Sequence, residues 1–136
     1  MPSEAYKAAR ERIAAAKKEA QEVVKAEFEK EALSLLDELG IDSFTWQQYT
    51  PYFNDGDACV FSVYADEPRI NDVDPYETDN FPKYGTAEYD TFWTPYRLIA
   101  NFVTSFSEED LEFMFGDHVE VTVSRDGIEV EEYSHD

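Results

Sequence analysis

The sequence predicts an α+β fold, with a long N-terminal helix, two β-hairpins that form a mostly antiparallel four-stranded sheet, and one or two further helices packed on it. Two observations predict this class. Residues 3–39 contain neither Gly nor Pro, whereas residues 44–64 and 119–133 each show two alternating β patterns around a turn. A chain of 136 residues has enough material for one core. We divide it into the helix, residues 1–40, and a single α+β body, residues 41–136.

The N-terminal segment is predicted to be one helix from a Ser3 N-cap to a stop at Gly40. Its apolar residues recur at helical spacing: Ile13, Ala16, Ala20, Val23, Val24, Phe28, Ala32, Leu35, Leu36 and Leu39. Such a helix would be about 55 Å long, whereas a compact domain of this size is about 35–40 Å across. Either the helix breaks, or its N-terminal half extends beyond the body. The simpler interpretation is a kinked or frayed, solvated helix, and the functional one is an arm that packs on a second copy or a partner.

The first hairpin is predicted to pair strands Phe44–Thr50 and Ala58–Tyr64 across an Asn-Asp-Gly-Asp turn. In the first strand, Phe44, Trp46 and Gln48 occupy every second position and therefore lie on the same face. We expect Cys59 to be a buried small hydrophobe in the middle of the second strand.

The rest of the chain contains an irregular segment, two helical patterns and a second hairpin. Residues 65–85 are interrupted by Pro and Gly and predict a loop. Residues 86–106 show helical spacing with Pro95 inside the run, and one alternative is a helix that begins at Thr94 with Pro95 at its first position. Ser107 caps a short helix that Gly116 ends. The chain then alternates as a hairpin around Asp126-Gly127.

Charge restricts the classes of partner. The formal net charge is −20, from 31 acids and 11 bases. Residues 1–40 hold seven bases and nine acids (net −2), and residues 41–136 hold four bases and 22 acids (net −18). Such a surface repels nucleic acids and anionic membranes and favours basic proteins. The single cysteine, together with the absence of an 18-residue apolar run or a secretory signal, leads us to expect a cytoplasmic protein.

No pattern of catalytic residues emerges, so we expect a non-enzymatic protein without a cofactor. The acids of residues 55–79 suggest comparison with a calcium-binding loop, in which Asp72, Asp74 and Tyr76 would supply ligands at alternate positions. That pattern fails, because no Gly stands at the sixth position and Lys83 stands at the twelfth. A glycine-rich phosphate loop and a serine nucleophile motif are both absent from the sequence. A divalent-metal enzyme ranks third among the interpretations.

The candidate partner-binding residues are acids, with one tyrosine as an anchor. In the predicted loop they are Asp66, Glu67, Asp72, Asp74, Tyr76, Glu77 and Asp79. In the last strand they are Glu129, Glu131 and Glu132. Tyrosines beyond the needs of the core are also expected at an interface, where this residue is enriched: Tyr49, Tyr52, Tyr76, Tyr84 and Tyr89.

The stretch WQQYTPYFNDGDACVF, residues 46–61, resembles a group of small uncharacterised phage and bacterial proteins that share a W-x-Q-Y-T-P-Y-F-N-D-G-D run. The resemblance implies a phage-type accessory protein, and small acidic phage proteins often block a host defence protein. We therefore expect an inhibitor of a host defence or nucleic-acid-handling protein, acting by DNA mimicry in its sharpest form. The alternative is a structural or assembly protein that oligomerises through residues 3–39.

Overall fold

The structure is a computed structural model that describes residues 2–51 and 59–134. It confirms the α+β class. The elements in chain order are α1 (Glu4–Leu39), β1 (Ser43–Tyr49), β2 (Ser62–Ile70), a 3-10 helix (Pro75–Glu77), α2 (Ala87–Thr104), α3 (Glu108–Phe115), β3 (Val119–Ser124) and β4 (Gly127–Glu132).

Helix α1 is continuous, and most side chains of its N-terminal half are exposed. The Ser3 hydroxyl accepts a hydrogen bond from the Tyr6 amide at 3.1 Å, and Gly40 ends the helix in the left-handed region at φ 65°. Only Phe28, Ala32 and Leu36 are buried, all in the second half. Of the two alternatives open from the sequence, the structure has the unbroken helix, and what its exposed half packs on stays a prediction.

The four strands form one antiparallel sheet in the order β2-β1-β3-β4. Phe44, Trp46 and Gln48 lie on its core face, as their alternation predicts, and Trp46 pairs with Val121 of β3. Each helix packs on this face through a phenylalanine. Phe28 of α1 lies 6.0 Å from Trp46, Phe102 of α2 lies 6.4 Å from Phe44, and Phe115 of α3 lies 5.7 Å from Trp46, measured between ring centroids.

The predicted bounds of the second strand were wrong. β2 runs from Ser62 to Ile70, so residues 65–70 are strand rather than loop. The reason is an irregularity in pairing. Gln47 pairs with Tyr64 and Thr45 pairs with Arg69, which leaves residues 65–68 opposite Trp46 alone. Pro68 falls within this bulge of an edge strand, where a missing N–H costs no ladder bond.

Two further predictions need correction. Helix α2 begins at Ala87 after the N-cap Thr86, so the helical spacing from residue 86 is confirmed, and the alternative start at Thr94 is wrong because Pro95 lies inside the helix. The Thr94 hydroxyl and the Arg97 guanidinium both donate to the Asp90 carbonyl there, at 2.9 and 2.8 Å. Cys59 precedes β2 and is exposed, so it is not a buried strand residue.

The turn of the first hairpin lies outside the described residues. The second hairpin is confirmed, with β3 and β4 joined at Ser124–Gly127. In the part of the chain that the structure describes, no helix has both the length and the apolar character needed to cross a bilayer.

Candidate partner-binding surface

The candidate residues lie at opposite edges of the sheet. The first set lies along β2 and the 3-10 helix, and we call these seven residues the acidic edge: Asp66, Glu67, Asp72, Asp74, Tyr76, Glu77 and Asp79. The second set lies on β4, and we call these three residues the β4 acids: Glu129, Glu131 and Glu132. Because β2 and β4 are the two outer strands, the sets do not form one surface.

The acidic edge is shaped by a tight turn after β2. Asn71 and Asp72 both adopt positive φ, 53° and 64°, a conformation that Asn and Asp tolerate better than most residues. The Asn71 side-chain oxygen accepts hydrogen bonds from the amides of Asp42 and Ser43 at 2.8 and 3.1 Å. This contact fixes the turn to the start of β1. Asp74 then caps the 3-10 helix by accepting from the Tyr76 amide at 2.9 Å.

Most carboxylates of the acidic edge are exposed and uncompensated. Asp66, Glu67, Asp72, Glu77 and Asp79 are exposed, and Asp74 is half-buried. Among the described residues, Asp72 is the one acid of this edge that forms an ion pair, with Arg69 at 3.7 Å. Arg69 lies closer to Glu120, at 2.7 Å, so its charge is shared.

Tyr76 is held in place while most of its surface stays in solvent. Its hydroxyl donates to a Glu67 side-chain oxygen, and its ring stacks on Phe81 at 5.4 Å. The hydrogen bond to Glu67, with the carboxylate charge, raises the pKa of Tyr76 to about 12. Tyr76 is nevertheless 60% exposed. A ring that is oriented but uncovered is suited to anchor a partner, because little side-chain entropy remains to be lost on binding.

Behind Tyr76 lies a wall of aromatic rings, of which only Tyr89 was among the interface tyrosines that the sequence predicted. Trp93 of α2 lies 5.6 Å from Tyr76, and Tyr89 lies 6.2 Å from Trp93. Its signal in the sequence is the helical spacing of Tyr89, Phe92, Trp93 and Tyr96. A shallow cleft of about 220 Å³ separates this wall from the edge, lined by Asp66, Glu67, Tyr76, Tyr89, Trp93 and Arg97.

The tyrosines expected at an interface divide into three groups. Tyr76 and Tyr84 are exposed and Tyr89 is half-buried. Tyr49 is buried and stacks on Tyr64 at 4.3 Å, so it packs rather than presents itself to a partner. Tyr52 lies outside the described residues.

The β4 acids are exposed but divided between the two faces of the strand. Glu129 and Glu131 alternate with Val130, and Glu132 shares the face of Val119, its pairing partner. Glu131 lies opposite Glu120. Charges on an edge strand hinder its pairing with another sheet, and this holds for β2 as well as for β4. The acidic edge is the better candidate surface because it also carries the oriented, exposed Tyr76.

Over residues 2–51 and 59–134, no three His, Cys, Asp or Glu side chains are placed to hold a metal ion. Comparisons with protein-family models, curated proteins and solved structures find no match to this chain. The resemblance of residues 46–61 stays a prediction, and its residues 52–58 lie outside the described part.

Proposed function

We propose that this protein is a non-enzymatic binding protein that captures a basic protein through the acidic edge, with Tyr76 as its anchor. The partner is a nucleic-acid-binding or defence protein of a bacterial host, whose nucleic-acid site the acidic surface occupies. The observation that carries the proposal is the combination at one edge of exposed, largely unpaired carboxylates and an oriented, exposed tyrosine.

The magnitude of the charge supports competition with a nucleic acid. B-DNA carries one charge per roughly 1.7 Å of axis, so twenty charges correspond to about 34 Å of duplex. The net charge of −20 lies almost wholly on residues 41–136, which sum to −18. The potential of the body is therefore of the size that a DNA-binding cleft attracts.

The test is a pull-down from bacterial lysate with the parent and two variants that each lose three charges. The edge variant carries Asp66→Asn, Glu77→Gln and Asp79→Asn, which leaves the capping Asp74 and the ion-paired Asp72 intact. The matched control neutralises the β4 acids, with Glu129→Gln, Glu131→Gln and Glu132→Gln.

We expect the parent and the control to capture a basic protein at low salt and release it at high salt, and the edge variant to capture much less. Duplex DNA added to the purified complex should displace the acidic protein. A capture that all three proteins share would overturn the assignment of the edge, and a complex that DNA leaves intact would overturn the mimicry.

Self-assembly through α1 is a second candidate, favoured by the exposed first half of that helix. Tyr6, Ile13 and Val23 are 57%, 56% and 59% exposed. Large apolar side chains exposed along one helix are typical of a surface that a partner covers.

A further inference from the structure

The exposed half of α1 carries an apolar stripe at the spacing of a helix–helix or helix–surface contact. We call residues 4–20 the arm. The stripe follows alternating steps of three and four residues: Tyr6, Ala9, Ile13, Ala16, Ala20 and Val23. Residues that bind the body, such as Phe28 and Leu36, lie beyond the arm. Ala20 lines a cleft with Ser107 and Asp110 of α3, so the part of the stripe from Tyr6 to Ala16 is the part available to another surface.

The flanks of the stripe are basic. The arm holds five bases and three acids, a net charge of +2, in a chain whose body sums to −18. Arg10 and Lys17 border one side of the stripe and Arg12 borders the other, together with Glu19. The charge around the stripe is thus opposite in sign to that of the body.

This charge pattern disfavours a parallel arm-to-arm contact. In a parallel pair of arms, the flanking Arg12 of one helix would face Lys17 of the other, and like charges in these positions destabilise a coiled coil. The same bases fit a surface that has carboxylates around apolar groups.

The acidic edge has that complementary pattern. Val73, Tyr76 and Tyr84 are exposed at or beside it, by 44%, 60% and 83%. They are surrounded by carboxylates, of which Asp66, Glu77 and Asp79 are exposed and without an ion pair among the described residues. The apolar groups of the arm can therefore meet apolar groups of the acidic edge, and its basic side chains can meet carboxylates of opposite charge.

We propose that the arm docks on the acidic edge of a second copy of this chain, with Tyr6 and Ile13 against its tyrosines and Arg10, Arg12 and Lys17 against its carboxylates. Two such contacts, each arm reaching the other copy, close a symmetric dimer. This inference develops the self-association candidate and does not require an external partner. Since the arm and a basic partner would use the same carboxylates, dimerisation and partner capture exclude each other.

The test uses the purified full chain, with its mass measured by analytical ultracentrifugation at low salt. The arm variant carries Arg10→Glu, Arg12→Glu and Lys17→Glu. The edge variant of this experiment, distinct from the neutralised one used in the pull-down, carries Asp66→Lys, Glu77→Lys and Asp79→Lys. The control places the same three charge reversals on β4, with Glu129→Lys, Glu131→Lys and Glu132→Lys.

We expect the parent and the β4 control to be dimers, and the arm and edge variants each to be monomers. An equimolar mixture of the two monomeric variants should form a dimer again, because in the mixed pair each reversed surface meets an oppositely charged one. That mixture also shows that both variants are folded. A monomeric parent, a dimer that survives either reversal, or a mixture that stays monomeric would each overturn the proposal. These readings use the chain alone, so they are independent of the pull-down with lysate.

Discussion

A buried glutamine connects the sheet to the end of α3, and its replacement is the sharpest test of how the body is held together. Gln48 is fully buried on the core face of β1. Its amide nitrogen donates to the carbonyls of Leu111 and Gly116, both at 2.9 Å, and its oxygen accepts from the Trp46 indole at 3.0 Å. We consider Gln48→Met, which keeps the length of the side chain and removes the amide.

The expected cost follows from counting the groups that lose a partner. Three hydrogen bonds at about 1 kcal/mol each give about 3 kcal/mol. The indole N–H of Trp46 loses its acceptor, which adds a desolvation cost of about 1–3 kcal/mol because Trp46 is itself buried. The greater hydrophobicity of Met offsets about 1 kcal/mol, and the Leu111 carbonyl keeps a partner within α3. The net loss is about 3–5 kcal/mol, a large share of the roughly 5–15 kcal/mol that stabilises a domain.

The measurement is urea unfolding followed by tryptophan fluorescence, with Gln47→Met as the matched control. Gln47, the neighbouring residue on the other face of β1, donates to Glu120 at 3.0 Å and is only half-buried. We expect a cost of about 1 kcal/mol or less for the control, and a midpoint lowered by roughly 1–3 M urea for Gln48→Met. Equal losses in the two variants, or a loss below about 1 kcal/mol for Gln48→Met, would refute the reasoning.

Three further predictions concern α1, an acid and the anchor tyrosine. Phe28→Ala should lower the free energy of unfolding in urea by about 3–5 kcal/mol, because the Phe28 ring is fully buried among other aromatic rings. The control is Leu33→Ala, at an exposed position of the same helix. A similar loss for this control would contradict the prediction. Burial alone would raise the pKa of Asp117, but hydrogen bonds from the hydroxyl and amide of Thr50 outweigh it and lower the pKa below 3.8. This carboxylate therefore stabilises the fold above that pH, so Asp117→Ala should be destabilising at pH 7 and lose its effect in acid-unfolding curves as the pH falls through the folded pKa. Glu67→Gln should return the pKa of Tyr76 from about 12 towards 10 in an ultraviolet titration. The stability linked to the raised pKa of Tyr76 is present below pH 10 and is lost as the pH rises from 10 to about 12. A tyrosine titration that the substitution leaves unchanged would show that Glu67 does not raise the pKa of Tyr76.

The arrangement of charge in this chain has a consequence for experiments on its partners. The exposed carboxylates of the acidic edge are within reach of any cation, so a weak complex with a basic protein is expected at low salt whether or not it is specific. Tyr76 supplies the specific part of the proposal, since its ring needs a matching apolar contact. Tyr76→Ala should therefore weaken a specific complex at moderate salt more than Tyr84→Ala does, although Tyr84 is the more exposed ring.

Local patterns in the sequence were enough to predict the fold class. The ends of α1 follow from Ser3 and Gly40, because a cap depends on groups within one turn. The placement of Phe44, Trp46 and Gln48 on one face follows from the period of two along a strand. The hairpin at Asp126-Gly127 follows from the same alternation together with turn chemistry.

Only the tertiary structure decided how these elements combine, because the deciding contacts join residues far apart in the chain. The bulge that carries β2 through Pro68 depends on pairing with β1, and the early start of α2 depends on packing that outweighs the cost of Pro95. The strand order β2-β1-β3-β4 places the acidic edge and the β4 acids at opposite sides, although in the sequence both are simply runs of acids. The sequence by itself determined that the protein has an acidic body and a long helix. The sheet topology decided which acids could act together, since neighbours across a sheet are set by pairing and not by position along the chain.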